Sequence, residues 1–483
     1  MAPSMQKMQG PRSFKSHFEI VKRLILDPSV PLPAMAALLI AEILVNATVI
    51  WKIKYTEIDW VAYMQEVEGV VNGTYDYMQL RGDTGPLVYP AGFVYVFMGL
   101  YYVTNLGSNL RLAQYIFMGL YLLNLVVVFD IYRIVKRVPP YVFFFMCALS
   151  YRIHSIYVLR LFNDPVAMLF LYMAIDLFLR GRWAWGCLLY SLGVSIKMNL
   201  LLFAPGLLFL LLVTQGIQGT LVHLTICALP QLILALPFLL TNPVGYVVRS
   251  FDLGRQFFYK WTVNWRFLPQ EVFLNRYFQA TLLLAHILVL LAFFWRRWRP
   301  MFVSVKLQWS KSGLKQKLGP HHILLKDYGL ELAFTSLTSV TLGWSFLNRA
   351  VQVLFPLFTA NLIGMSFSRS LHYQFYVWYF HSLHYLVWCC PYPPVLRILI
   401  LGVIEMSWNT YPSTVSSSAL LHVCHGGLLI GLWLCNPRPS TVAAVATHQK
   451  SPGQGESGGA TGPAVGPTSW QGSSPRAQKM KTR

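Results

Sequence analysis

Acidic residues are scarce in this chain of 483 residues: 18 Asp and Glu stand against 39 Lys and Arg, and charged residues make up only 12% of the whole. A water-soluble domain of this length carries about twice that charged fraction, so a soluble globular fold is excluded. Cysteine is thin as well. The seven (Cys147, Cys187, Cys227, Cys389, Cys390, Cys424 and Cys435) fall in or beside apolar stretches with no CxxC or Cys/His spacing, which argues against a disulfide framework and against a metal site. Residues 1–32 show no cleavable signal pattern and are polar and basic, with Lys7, Arg12, Lys15, Lys22 and Arg23. What the chain has in plenty is apolar surface. Hydrophobic residues are 55% of it, in recurrent runs long enough to cross about 30 Å of hydrocarbon. The formal charge of +21 sits between and beyond these runs, the distribution of cytoplasmic loops, so no nucleic-acid partner is expected. The fold class is all-α, a polytopic membrane protein.

Charge bias sets the path. A cytosolic start (1–32) and a first span at 33–52 deliver the loop 54–112 to the far side of the membrane. Residues 87–105, rich in Tyr and Phe and preceded by Pro86, read as a helix lying in the interface. A span there would put Arg133, Lys136 and Arg137 on the wrong side. Further spans are expected at 113–132, 139–151, 164–180, 183–196, 199–214, 221–240, 277–295, 353–367, 373–390, 395–408 and 418–435, about a dozen in all. The membrane domain therefore occupies 33–435, with a second far-side loop at 241–276 and a cytosolic basic loop at 296–352. The moderately apolar 330–347 is expected not to cross; a crossing there would invert everything after it. Residues 436–483 are rich in Gly, Ser and Pro, and read as a disordered cytosolic tail. They end Lys479-Met480-Lys481-Thr482-Arg483, either a dilysine retrieval signal for the endoplasmic reticulum or an ordinary basic end. With the signal, the far side is the lumen.

On this path ionisable residues near span ends gather on the luminal face, where the positive-inside bias depletes cations. Glu57, Asp59, Asp83, Arg152, His154, Arg160, Asp164 and Lys197 lie there, joined by Arg255 and Arg266 among Trp261 and Trp265, and by Arg369, His372 and Gln374. Carboxylate, cations and aromatics at a lipid boundary suit an acid-activated hydroxyl displacing a lipid-linked phosphate, whose oxygens arginine grips well. Each residue also has a bland reading. Arginine and histidine snorkel or cap carbonyls at span ends; Asp164, before Pro165, is a candidate helix N-cap; Glu42 and Glu405, inside spans, are as well explained by packing partners. Asn72-Gly73-Thr74 is a glycosylation sequon in a luminal loop, or an ordinary turn.

Long blocks of sequence then carry a resemblance. Tyr55–Tyr63 (YTEIDWVAY), Gly69–Tyr77 (GVVNGTYDY), Gly82–Tyr95 (GDTGPLVYPAGFVY), His154–Pro165 (HSIYVLRLFNDP), Ser195–Asn199 (SIKMN), Ser250–Gln256 (SFDLGRQ), Trp261–Pro269 (WTVNWRFLP), Ser368–Phe380 (SRSLHYQFYVWYF) and Ser407–Thr414 (SWNTYPST) resemble the dolichyl-phosphate-mannose-dependent alpha-1,3-mannosyltransferases of the endoplasmic reticulum, GT-C enzymes of asparagine-linked glycosylation. The likeness covers 33–315 and 354–435. Residues 316–353 depart from the family pattern, which runs from the basic loop directly into Phe355-Pro356-Leu357-Phe358, so the start of that span and the placement of Arg369 and His372 are left open.

The resemblance implies a GT-C fold and inverting transfer of mannose from dolichyl-phosphate-mannose to lipid-linked Man(5)GlcNAc(2) in the lumen. It implies an essential acid in the first luminal loop, here Asp59 with Glu57 beside it, and no metal or cofactor. The donor phosphate and sugar are assigned to Arg369, His372, Gln374, Arg255, Arg266, Lys197, Arg160 and Asp164, and the acceptor to Asp83, Tyr89 and Trp265. Asn72 is the candidate glycosylation site. Protein partners are unknown. Two other readings stand beside this one: a dolichyl-phosphate-mannose enzyme of glycosylphosphatidylinositol assembly, and a secondary transporter, although no internal repeat is visible and the charges gather at one face.

Overall fold

The computed structural model describes residues 12–148, 151–251, 258–302 and 346–435. Arg255, most of the 296–352 loop and the 436–483 tail, with the expectations made for them, lie outside the described residues.

The described chain is helical. α1 (Arg12–Leu26) precedes α2 (Leu32–Lys52), α3 (Trp60–Val71), a two-stranded hairpin of β1 (Arg81–Gly82) and β2 (Gly85–Pro86), α4 (Ala91–Val103) and α5 (Leu110–Val135). Next come α6 (Tyr141–Ala148), α7 (Tyr151–His154) running into a π-helical turn over Ser155–Leu159, α8 (Asp164–Leu179) and α9 (Trp183–Ile196). A 3-10 stretch (Met198–Phe203) leads into α10 (Ala204–Thr241), α11 (Pro243–Ser250), α12 (Gln270–Leu274) and α13 (Arg276–Phe293). The last described part holds α14 (Phe346–Ser366), a 3-10 stretch at Tyr373–Trp378, α15 (Phe380–Cys389), α16 (Pro394–Asn409) and α17 (Val415–Leu434).

Five helical segments among the described residues are long and apolar enough to cross a membrane alone: Leu32–Lys52, Leu110–Val135, Met198–Thr241, Arg276–Phe302 and Val415–Leu434. A sixth is reached when Tyr141–Ala148 and Tyr151–Leu159 count as one bent span. α2 shows why. Ile40, Ile43 and Leu44 are exposed on it, the surface that hydrocarbon covers. α4 has 13 residues, about 20 Å at 1.5 Å per residue; α9, in the expected span 183–196, has 14.

The expected runs at 199–214 and 221–240 fall on two helical parts that meet at a kink at Gly216 (φ 69°), a conformation that glycine adopts at little cost. Two expected boundaries are corrected. The run at 373–390 is not one helix: its first part is the 3-10 stretch, and α15 has only 10 residues. Asp164 is not an N-cap. Asn163 holds that position, and Asp164 is the first residue of α8 with Pro165 next, where the fixed φ of proline suits a first turn.

The acids inside helices are packing partners. Glu42 is 2% exposed, and its Oε2 lies 2.6 Å from His154 Nε2 and 3.2 Å from Asn46 Nδ2, tying α2 to α7. Glu405 accepts the Tyr376 hydroxyl at 2.6 Å.

Helix contacts are tightest where glycine removes a side chain. A Cβ on Gly206 of α10 would stand 2.6 Å from the Pro356 carbonyl oxygen of α14. Backbone cannot swing aside, so Gly206→Ala is expected to cost about 1–3 kcal/mol. Gly402→Ala, with nothing within 4 Å of the added carbon, is the control. Thermal unfolding of the two variants in detergent checks this: only Gly206→Ala should lower the midpoint.

Candidate active site

Segments far apart in sequence converge on a cavity of about 1110 Å³. The first is the mouth of α3. Trp60 is buried against Phe97 and Phe117, and its indole N–H donates to the Gly107 carbonyl at 2.9 Å. Burying a ring of this size is worth roughly 1.5–3 kcal/mol, and it fixes where the helix begins. Asp59 is the N-cap residue, yet its carboxylate makes no capping bond. Glu57 caps the helix in its place. Its Oε1 accepts the Val61 N–H at 3.1 Å, and its Oε2 accepts the Tyr55 hydroxyl at 2.6 Å. Burial, and then Glu57, raise the Tyr55 phenol well above its usual pKa. The Asp59 carboxylate is left to line the cavity, where it accepts the Tyr63 hydroxyl at 3.3 Å.

The second segment runs from α7 to α8. Leu161 turns the chain in the left-handed region (φ 51°), so Arg160 and Phe162 line the cavity while Asn163 and Asp164 begin α8. The Arg160 guanidinium donates to the Ser155 hydroxyl. Burial, and then the like charge of Arg152, hold its pKa below the usual arginine value.

Lys197 comes from the third. It leaves α9 in an extended conformation (φ −154°), and its ammonium reaches Asp164 Oδ2 at 2.7 Å and Asn163 Oδ1 at 2.8 Å. Asp164 is fully buried and also accepts the Trp378 indole N–H. The Tyr63 hydroxyl, which faces Asp59, also reaches Asn163 Oδ1 at 3.4 Å. One polar network thus runs from Asp59 through Tyr63, Asn163, Lys197 and Asp164 to Trp378. The Lys197 ammonium also lies 5.3 Å from the Tyr89 ring centre and 5.8 Å from that of Phe375, within cation–π range.

The fourth segment, 368–378, brings Arg369, His372 and Gln374 to the cavity. It is strapped down by the WTVNW motif. Asn264 accepts the Leu371 N–H at 2.8 Å and donates to the Ser368 carbonyl at 2.9 Å, while the Trp265 indole donates to the same carbonyl at 2.8 Å.

Of the residues singled out in the sequence, Asp59, Tyr89, Arg160, Lys197, Arg369, His372 and Gln374 line this cavity, and Asp164 stands behind Lys197. Glu57, Asp83, Trp265, Arg266 and Asn72 are not in its lining. Asp83 is exposed at the hairpin turn, its N–H donating to Gln65 Oε1 at 2.7 Å. Trp265 holds the 368–371 loop. Arg266 lies over the Tyr259 ring at 4.4 Å. Asn72 is exposed at the end of α3, before Gly73 at φ 92°. Arg152, already among the cations near span ends in the sequence, lines the cavity too, whereas no binding or catalytic role follows from the sequence alone for Glu66 or Asn163. Arg152 is 5% exposed and its guanidinium lies 4.9 Å from the Tyr373 ring centre. Whereas Asp59 is partly exposed, Glu66, a second carboxylate in the lining, is buried. Its signal was present in the spacing of Asp59, Tyr63 and Glu66, which share a helix face at i, i+4 and i+7. Among the described residues, no three His, Cys, Asp or Glu side chains converge as a metal set.

The family described as ALG3 protein matches residues 36–418. The chain belongs to the ALG3 protein family. A Homo sapiens relative, named Dol-P-Man:Man(5)GlcNAc(2)-PP-Dol alpha-1,3-mannosyltransferase, is 55% identical over 422 residues, covering 86% of this chain and 90% of the relative. A Drosophila melanogaster relative, Dolichyl-P-Man:Man5GlcNAc2-PP-dolichol alpha-1,3-mannosyltransferase l(2)not2, is 49% identical over 443 residues (84% and 91%). One from Arabidopsis thaliana, with the same name as the human protein, is 43% identical over 413 residues (85% and 89%). No solved structure gives a match.

In this ALG3-family chain the Lys197–Asp164 pair is the testable centre of the network. Lys197→Met strands a fully buried carboxylate, and breaking such a pair costs about 3–5 kcal/mol. The double variant Lys197→Met/Asp164→Leu removes both charges and should recover a large part of that loss. Chemical unfolding of the single and double variants measures the difference; a double variant no more stable than Lys197→Met would contradict the pairing.

Proposed function

We infer that this chain is an alpha-1,3-mannosyltransferase that transfers mannose from dolichyl-phosphate-mannose to Man(5)GlcNAc(2)-PP-dolichol. The observation that carries the reading is membership of the ALG3 protein family, with identity of up to 55% across most of the chain to enzymes of that name. The cavity supports it with a carboxylate, four cations and several aromatic rings in one space.

In the proposed reaction Asp59 is the general base. It takes the proton from the acceptor mannose 3-hydroxyl as that oxygen bonds to the anomeric carbon of the donor. The bond from that carbon to the phosphate oxygen breaks in the same displacement, so the configuration inverts and the proton ends on Asp59. The departing dolichyl phosphate needs no proton; its growing charge falls to Arg369 and His372, with Arg160 and Lys197 near. Cations act on such a leaving group most strongly as its charge develops. Glu57 serves Asp59 by capping α3, and no metal is invoked.

The proposal also places the cavity in the lumen of the endoplasmic reticulum, both termini in the cytosol and about a dozen spans between them within a GT-C fold. Its support is the distribution of cations. Arg133, Arg137, Arg180 and Arg297 follow or end α5, α8 and α13 at the side away from the cavity, as the positive-inside rule requires of cytosolic ends.

The test is transfer from labelled dolichyl-phosphate-mannose to the lipid-linked acceptor by purified protein. Asp59→Asn keeps the shape and removes the base, so the rate should fall about 10²–10⁴-fold. Glu57→Gln should lose less, because it retains an oxygen for the Val61 N–H. Near-normal transfer by Asp59→Asn would remove it from the role of base, and mannosylation of a phosphatidylinositol-linked sugar in preference to this acceptor would overturn the function.

A further inference from the structure

A second concentration of positive charge lies at the opposite end of the helices from the cavity. α5 starts beside the cavity wall, where Gln114 donates to the Val158 carbonyl at 2.8 Å. It runs for 26 residues, roughly 40 Å at 1.5 Å per residue. Arg137 follows its end, and its Nε donates to the Trp388 carbonyl at 3.2 Å. Arg397, in the first turns of α16, donates from Nη2 to the Cys390 carbonyl at 3.1 Å, with its guanidinium 5.6 Å from the Trp388 ring centre. Arg297 follows α13. The Phe293 and Trp433 rings, 5.5 Å apart, put the end of α13 beside the end of α17, and Gly431 of α17 packs on Cys390 and Tyr392, so the three arginines gather at one end of the helices.

Three features of this cluster call for an anion. None of the three arginines forms an ion pair among the described residues. Nε and Nη2 of Arg297 and Nε of Arg397 are buried and meet no hydrogen-bond acceptor among the described residues, a costly state for a charged donor. Arg397 also stands at the positive end of the α16 dipole, where a cation is disfavoured and an anion welcome. Elsewhere at this end of the bundle the chain does neutralise its charges: Arg180 pairs with Asp130 and Asp176, and Arg133 pairs with Asp130.

The chemistry that fits three guanidinium groups gathered at one end of the helices is a phosphate group, which arginine binds through paired N–H donors. The surroundings favour a phosphate carried on a lipid. Tyr141 and Trp388 form an edge-on aromatic pair 6.2 Å apart beside the cluster, and Val395 and Leu434 are exposed near it, a rim of the kind found at headgroup depth. We propose that Arg137, Arg297 and Arg397 form a binding site for the phosphate of an anionic phospholipid headgroup, at the membrane face opposite the catalytic cavity. The lipid would join the ends of α5, α13 and α16, which no protein ion pair bridges among the described residues.

The experiment uses the full chain purified in detergent and offered phosphatidylinositol, phosphatidylcholine or inorganic phosphate, with bound lipid read by native mass spectrometry and stability by thermal unfolding. Wild type should retain phosphatidylinositol in preference to phosphatidylcholine and unfold at higher temperature with it. Arg297→Gln/Arg397→Gln should bind it at least about tenfold more weakly, the scale of one lost charged contact. Mannosyl transfer by that variant, whose changes lie far from the cavity, reports that it has folded. Arg297→Lys keeps the charge without the fork and should fall between the two, which gives a reading even if the double variant does not fold. No preference for the anionic lipid in wild type, or equal retention by wild type and variants, would overturn the proposal. So would stabilisation by inorganic phosphate with none by phosphatidylinositol, because the site would then serve a free anion.

Discussion

The site depends on a single buried ion pair. Lys197 and Asp164 are 7% and 0% exposed, and two charges so far from water are tolerated only when each satisfies the other. Meeting that condition forces three chain segments into register. α9 must end where Lys197 can turn inward, α8 must begin at Asp164, and Trp378 must bring its indole to the second carboxylate oxygen. Once these positions are set, Asn163 is the acceptor that reaches Tyr63, and through Tyr63 the network arrives at Asp59. The proposed base is thereby oriented by residues a hundred positions away in sequence.

The two carboxylates of the YTEIDW stretch illustrate how much was legible beforehand. Their scarcity and their place at a span end single them out, and charge bias places them with the cations. What sets them apart is a capping geometry that sequence does not display. Asp59 occupies the N-cap, the position from which aspartate usually bonds its own helix, yet it leaves the amides to Glu57. A residue two positions earlier taking the cap is a three-dimensional outcome of how Trp60 seats the helix. The same limit hid Asn264. Its amide straps the loop that carries Arg369 and His372, but a lone asparagine between aromatics has no periodicity to betray it.

The misplaced boundaries have a common cause. Hydropathy reports apolar length, not backbone path. It marked 373–390 as one run because Tyr373–Trp378 is as apolar as a helix, although those residues form a 3-10 stretch that carries Phe375 and Trp378 to the cavity. Between 199–214 and 221–240, by contrast, the dip in hydropathy coincides with a real break of the backbone, the kink at Gly216. The departure from family pattern over 316–353 left Arg369 and His372 open, and their position on the cavity wall follows from α14 and the WTVNW strap.

Charge balance in the cavity bears on how the proposed transfer is driven. Among its lining residues Arg152, Arg160, Lys197 and Arg369 are cationic and Asp59 and Glu66 acidic; with Asp164, paired to Lys197 at 2.7 Å, four positive against three negative charges leave a formal +1. A dolichyl-phosphate-mannose donor carries one negative charge on its phosphodiester, and the dolichyl phosphate that departs carries nearly two. A cavity with surplus positive charge therefore binds the departing group more strongly than the donor, and the difference is available in the transition state. In the proposed transfer the cations of the cavity wall thus receive the leaving group, which is the use the proposal gives to so much positive charge on that wall.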